Sequence, residues 1–204
     1  DVLRTMGVLY RCFLTRKEIA DLSLSAPHGA GEGPEGVVYR GPAQPMSADE
    51  EEMRIARGDS YAWRLSMRYS QDLLGEDFAR LVFVEQRNGS DEEHIVAAHP
   101  ESAGDVILGR KDTPTSYHMA VVHDDALQRV THIIRGEDLR SSTHVHVLLQ
   151  KLLGFSTPIY RHHRLLAGPD GKRYAKRDRS LTLAALREAG ASPAGIRDRI
   201  GLPA

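Results

Sequence analysis

Hydrophobic and polar positions alternate most regularly in the second half of this chain. From Gly104 onward, short apolar runs exchange with stretches of helical period. Asp105 to Leu108 reads as a strand, Thr115 to Asp125 as a helix and Val130 to Ile134 as a strand. Ser141-Ser142-Thr143 offers caps for a helix whose apolar positions Val145, Leu148, Leu149 and Leu152 keep helical spacing, and Gly154 stops it. His162 to Ala167 predicts a further strand, and residues 181–189 and 192–201 predict two helices. Strand–helix alternation of this kind predicts an α/β fold with a parallel sheet.

The first half is less periodic. Thr15, with Glu18 three residues on, has the form of a capped helix over residues 15–24. Residues 25–45, dense in Gly, Pro and Ala, predict a loop. Ser47 and Glu50 open an acidic helix that runs to about Arg57. Ala62 to Met67 alternates as a strand does, and Leu81 to Val84 is a second, more apolar one. Asn88 to Ser102 is polar apart from Ile95 to Ala98 and yields no assignment. Residues 1–103 therefore read as the end of one half-domain plus an inserted, irregular α+β segment. Residues 104–204 read as the second half of a Rossmann-like domain.

Composition narrows the function classes only a little. At 204 residues the chain can bury a real core. It has no apolar run of membrane-spanning length and no signal-peptide pattern, so a cytoplasmic protein without a membrane partner is expected. The single cysteine, Cys12, excludes an internal disulfide. The net charge of −1 gives no global argument for nucleic acid. Its distribution does: from Arg161 to Arg199 there are ten Lys/Arg against four Asp/Glu, a basic face suited to a polyanion. A solvated surface would have the same composition.

The candidate chemistry lies at a corner. Val130-Thr131-His132-Ile133-Ile134 ends abruptly at Arg135-Gly136-Glu137-Asp138. Ligands of open α/β sheets bind beyond the carboxyl ends of strands, and a guanidinium there can grip a carboxylate with two parallel hydrogen bonds. An ion pair of Arg135 with Glu137 or Asp138 is the purely structural alternative. Ser116-Tyr117-His118 precedes this run, and the basic loop Gly171-Lys172-Arg173-Tyr174-Ala175-Lys176-Arg177 follows it. A tyrosine, an arginine and a basic loop can together hold an amino acid beside a nucleotide phosphate. The histidines read as ordinary packing residues: His144 and His146 diverge on a helix, and His162 and His163 point to opposite faces of a strand. His123-Asp124 lacks the companions that a metal-dependent phosphohydrolase needs.

These segments resemble the second half of the catalytic domain of glutamyl-type class I aminoacyl-tRNA synthetases. That family's pattern runs Tyr-His-x-Ala-x-Val-x-Asp-Asp, then Thr-His-x-Ile-Arg-Gly-Glu-Asp, then a Lys-Met-Ser-Lys-Ser type loop. Val121, the loop Arg173 to Asp178 and the end of the chain at Ala204 are similar to the glutamyl-Q tRNA(Asp) synthetase branch, which lacks an anticodon-binding domain. The resemblance implies a ligase that activates glutamate with ATP, as its magnesium complex, and transfers it to the queuosine base of tRNA(Asp). It implies a monomer, glutamate contacts at Tyr117 and Arg135, and ATP contacts at Lys176, the catalytic lysine, and Arg173. The alternatives are a truncated synthetase charging tRNA(Glu) and a non-catalytic tRNA-binding remnant.

Two departures matter. The family's structural zinc is held by Cys-x-Cys and Tyr-x-x-x-Cys, and here those positions are Cys12, Leu14, Tyr39 and Ala43, so no zinc is expected. The first ATP-binding signature, a His-x-Gly-His-like motif, has no match in residues 1–40. With Asp1 aligning downstream of it, the sequence is expected to be an N-terminally incomplete piece of a longer product, its own activity in doubt.

Overall fold

The computed structural model describes residues 1–24, 32–33, 36–42, 44–87, 89–110, 112–168 and 182–201. They form two compact units, Asp1–His162 and His163–Ala204. The first begins with α1 (Val2–Thr5), β1 (Leu9–Cys12) and α2 (Arg16–Leu24). A two-stranded ribbon, β2 (Glu32–Gly33) and β3 (Gly36–Val37), lies within the expected loop, and α3 (Ala48–Ala56) follows. As the sequence predicts, the Ser47 side chain caps α3 by accepting from Glu50 N, and Thr15 and Glu18 bond reciprocally at the start of α2.

β4 (Ala62–Leu65) gives way to α4 (Met67–Leu74) and α5 (Glu76–Ala79), which the alternation of residues 62–67 does not foretell. The reversal is local: the Ser66 hydroxyl accepts from Tyr69 N and starts a helix within the alternating stretch. β5 (Val82–Gln86) then pairs antiparallel with β6 (Glu93–Ala97) in the stretch that yields no assignment from sequence. β6 is an exposed strand, Ile95 included, so its side chains carry little core signal. After a 3-10 turn at Pro100–Ala103 come β7 (Val106–Arg110), α6 (Tyr117–Leu127), β8 (His132–Gly136), α7 (Ser142–Leu153) and β9 (Ile159–His163). The last strand lies three residues earlier than expected, because Tyr160 and His162, not the Leu165-Leu166 pair, point into the core.

The sheets are mixed. One has the order β1-β4-β7, with both pairings antiparallel. The other has the order β6-β5-β9-β8, with β5 and β9 parallel at Glu85 and Tyr160. The regular alternation from Gly104 predicts strands and helices correctly, but β7 joins β4 from the irregular half rather than a parallel neighbour. Periodicity reports which residues are buried, not which strand they pair with.

α7 is the centre of the core. Val145, Val147, Leu148, Leu149 and Leu152 are all buried on it, in one cluster with Val8, Leu65, Phe83, Val122 and Tyr160. A helix buried on several faces must also bury polar side chains, and α7 buries Thr143, His146 and Gln150. Its start differs from expectation. Ser141 makes no capping bond, and Thr143 turns its hydroxyl to an arginine instead. Gly154 ends the helix in the left-handed conformation, as its sequence position predicts.

In the second unit, α8 (Leu183–Glu188) and α9 (Pro193–Ile200) match the two predicted helices, capped by Thr182 and Ser192. Within that unit the Arg164 guanidinium donates to the carbonyl of Ile200 at 2.5 Å, the last helical carbonyls being open to such donors.

Candidate active site

Arg135 stands on β8 and reaches back into the protein. Its Nη2 donates to the Thr143 hydroxyl at 2.6 Å, its Nη1 lies 3.2 Å from Nδ1 of His146, and its Nε lies 3.3 Å from Nε2 of His162. The guanidinium carbon sits 5.3 Å from the centre of the Tyr160 ring. An arginine stem would otherwise sample many rotamers; three hydrogen bonds and a ring face leave it one.

Each partner is itself fixed. Tyr160 is fully buried and its hydroxyl accepts from Gln150 Nε2 at 3.0 Å. His162 stacks on Tyr160 and places Nδ1 2.7 Å from Glu85 Oε1. Glu85 also receives Arg140, with contacts of 3.0, 3.2 and 2.7 Å. Those hydrogen bonds from Arg140, partly opposed by burial, hold the Glu85 carboxyl down at about 2. Burial pushes the His146 imidazole down to about 2, assisted by the positive charge of Arg135 and by His118. His162 is also lowered, first by burial, although Glu85 opposes the shift.

Tyr117 begins α6, where the Ser116 side chain caps by accepting from Met119 N. Its ring is 47% exposed and lies 5.8 Å from the His146 ring. His118, the next residue, is buried with Nδ1 3.1 Å from His146 Nε2. His146 therefore joins the two candidates that the sequence singles out: Arg135 touches one nitrogen and Tyr117 flanks the ring. Tyr117 and His118 also line an open cleft of about 1470 Å³, with Arg16, Tyr39, Arg64 and Asp105 further along it. The cleft, with the exposed Tyr117 in its lining, is large enough for a small molecule, and the fixed Arg135 guanidinium stands behind Tyr117 and His118 through His146.

His146, His162, Thr143 and Glu85 escape the reading from sequence. His146 and His162 pack in the interior, as their spacing predicts, and also hydrogen-bond Arg135. The available signal was the burial of polar residues on an otherwise apolar helix, visible in the run Thr143-His144-Val145-His146. Lys176 and Arg173 lie outside the described residues, as does the rest of the basic loop.

The residues at the degenerate zinc positions do not fit that metal. Cys12 is buried beside Tyr39, whose phenol is pushed up to about 12 by burial and then by Cys12. The Arg64 guanidinium lies 4.9 Å from the centre of the Tyr39 ring, a cation where a metal would need negative or lone-pair donors. Leu14 offers no donor, and neither does alanine at position 43, which lies outside the described residues.

The sequence matches the family of class I tRNA synthetases (E and Q), catalytic domain, over residues 5–202. A glutamyl-Q tRNA(Asp) synthetase of Rhodobacter capsulatus is 38% identical over 200 residues, covering 96% of this chain and 68% of that protein. One of Symbiobacterium thermophilum is 37% identical, covering 94% and 54%. This chain thus spans about half to two thirds of the length of these curated relatives. The crystal structure of a glutamate-tRNA synthetase from Elizabethkingia anophelis aligns with a TM-score of 0.60 at 21% identity, over 87% of this chain and 34% of that one, a likeness of fold. By the extent of the family match and the identity to these relatives, the chain belongs to the class I glutamyl and glutaminyl tRNA synthetases, within their catalytic domain.

Proposed function

We propose that the protein of which this chain forms part activates glutamate with ATP and transfers it to the queuosine base of tRNA(Asp). The observation that carries this reading is the convergence of Arg135 and the cleft-lining Tyr117 on His146. Arg135 would hold a glutamate carboxylate through its remaining Nη hydrogens, with Tyr117 covering the substrate from the cleft side. In the first step an oxygen of the α-carboxylate attacks the α-phosphorus of ATP, the bond to the β-phosphate oxygen breaks, and pyrophosphate leaves. ATP would enter as its magnesium complex. Lys176 and Arg173 would supply positive charge for the departing pyrophosphate, and such prearranged charge is often the largest contribution to catalysis. In the second step a hydroxyl of the queuosine base takes the glutamyl group and AMP leaves.

The identity to glutamyl-Q tRNA(Asp) synthetases supports the acceptor, and the geometry around Arg135 supports an anionic amino acid. The test is glutamate-dependent exchange between ATP and pyrophosphate, followed by transfer of labelled glutamate to tRNA(Asp) and to tRNA(Glu). Exchange with transfer to tRNA(Asp) is expected. Preference for tRNA(Glu) would make the protein a tRNA-charging enzyme. Salt-sensitive tRNA binding without any exchange would make it a non-catalytic RNA-binding protein.

A further inference from the structure

The hydrogen bonds around Arg135 fix the protonation of two histidines. A guanidinium only donates, so every imidazole nitrogen facing it must be bare. Nε2 of His162, 3.3 Å from Arg135 Nε, is therefore the acceptor, and the ring proton sits on Nδ1, where Glu85 Oε1 receives it at 2.7 Å. The same reasoning applied to His146 gives the opposite tautomer. Its Nδ1 faces Arg135 Nη1 at 3.2 Å, and Nε2 carries the proton toward His118 Nδ1 at 3.1 Å.

The orientation of the guanidinium follows. The His162 nitrogen and the Thr143 hydroxyl lie 3.2 Å apart and receive Nε and Nη2, so together they occupy one edge of the planar group. What an incoming carboxylate can meet is the Nη hydrogens that are not given to Thr143 and His146. That orientation depends on His162 keeping its proton on Nδ1. With the proton on Nε2, an N–H would point at an N–H, and the edge would turn away. The group that decides between the two tautomers is the Glu85 carboxylate. It is held from the far side by Arg140 and carried on β5, the strand hydrogen-bonded to β9 beside His162.

We infer that Glu85 is a positioning residue for Arg135, acting through the tautomer of His162, and so sets which edge of the guanidinium is presented to a carboxylate substrate. The inference deepens the reading of Arg135 as the glutamate ligand and rests on it for its catalytic consequence. Glu85 itself touches no substrate. Its effect should therefore appear in the use of glutamate and not in the use of ATP.

Two measurements test it. Nitrogen-15 spectra of the imidazoles near neutral pH should show His162 protonated on Nδ1 and His146 on Nε2, with a sharp Arg135 Nε–H signal. In Glu85→Leu the His162 ring should leave the pure Nδ1–H form and the Arg135 signal should broaden. In pyrophosphate exchange, Glu85→Leu should raise the glutamate KM about tenfold or more with the ATP KM changed by less than about twofold. Glu85→Gln, whose amide oxygen still accepts from His162, should recover most of the loss. A His162 ring found with its proton on Nε2, or doubly protonated, overturns the inference. So does a Glu85→Leu variant with unaltered Arg135 signal and glutamate KM, or one in which both KM values move together with the melting temperature while Glu85→Gln fails to rescue. If the wild-type protein performs no exchange, the functional reading fails, and the ring and guanidinium signals alone still decide the positioning role.

Discussion

The Tyr10 hydroxyl donates to the Asp105 carboxylate at 2.8 Å, joining residues 95 positions apart in the chain. Asp105 is 4% exposed and stands just before β7. Its other carboxylate oxygen accepts from Met67 N at 2.9 Å, while Arg64 donates to its carbonyl at 2.5 Å. One carboxylate, in the lining of the cleft, thus ties β1, the start of α4 and β7 together. Burial raises the pKa of both Asp105 and Tyr10. Tyr10→Phe removes the donor and leaves a buried oxygen unpaired, which costs about 1–3 kcal/mol. Urea denaturation at neutral pH checks this: a stability loss below about 0.5 kcal/mol would mean that water or another group replaces the hydroxyl.

The approach to Asp105 also depends on glycine. Gly104 has φ +64, and a Cβ there would stand 2.5 Å from the carbonyl oxygen of Tyr39 and 2.8 Å from a Val38 methyl. Gly154, at the end of α7, has φ +70 with nothing within 4 Å of its Cβ position. Gly154→Ala should therefore show the left-handed penalty alone, about 1–2 kcal/mol. Gly104→Ala should cost clearly more, because backbone must also move. Thermal melts of the two variants side by side separate the contributions; equal losses would show that the Tyr39 segment yields freely.

How far the sequence reveals this arrangement depends on the range of the interactions. Local signals were legible: the caps at Thr15 and Ser47, the stop at Gly154, and the apolar period that buries Val145, Leu148, Leu149 and Leu152. The motif singles out Tyr117 and Arg135, and the structure brings both to His146. What was not legible is long-range pairing of polar groups. Glu85 meets His162 across 77 positions and Tyr10 meets Asp105 across 95, and no periodicity encodes a hydrogen bond between two strands. α4 was hidden for a different reason: Ser66 reads as an alternating strand residue until its hydroxyl is seen accepting from Tyr69 N.

Acid sensitivity should follow from His146. Its folded pKa is depressed to about 2, whereas in the unfolded chain it is near 6.5. Between those values the unfolded state binds a proton that the folded state refuses, so the stabilising contribution is complete above about pH 6.5 and is lost as pH falls. At pH 5 the loss from this residue is about 2 kcal/mol. His144 and His162 are lowered and act in the same direction, whereas the raised Asp105 acts oppositely at lower pH. Comparing wild type with His146→Gln isolates the residue. Denaturation free energies at pH 7 and pH 5 should fall further in the wild type, and parallel declines would show that His146 takes up a proton in the folded protein.

Arg135→Lys separates a substrate-binding arginine from a purely structural one. Lysine keeps the charge but loses the planar fork, and with it the simultaneous contacts to Thr143, His146 and His162. If Arg135 binds a glutamate carboxylate, losing the paired geometry removes a charge-assisted hydrogen bond of roughly 1.5–3 kcal/mol, and glutamate use falls by about one to two orders of magnitude. The ATP KM should change little, because the loss is confined to the amino-acid pocket. Some loss of thermal stability is expected in either case, since the three internal contacts hold β8 to α7 and β9. Stability alone therefore decides nothing, and the glutamate KM decides. A lowered melting temperature with an unaltered glutamate KM would falsify the ligand role and leave Arg135 as a half-buried structural cation held by Thr143 and the two histidines.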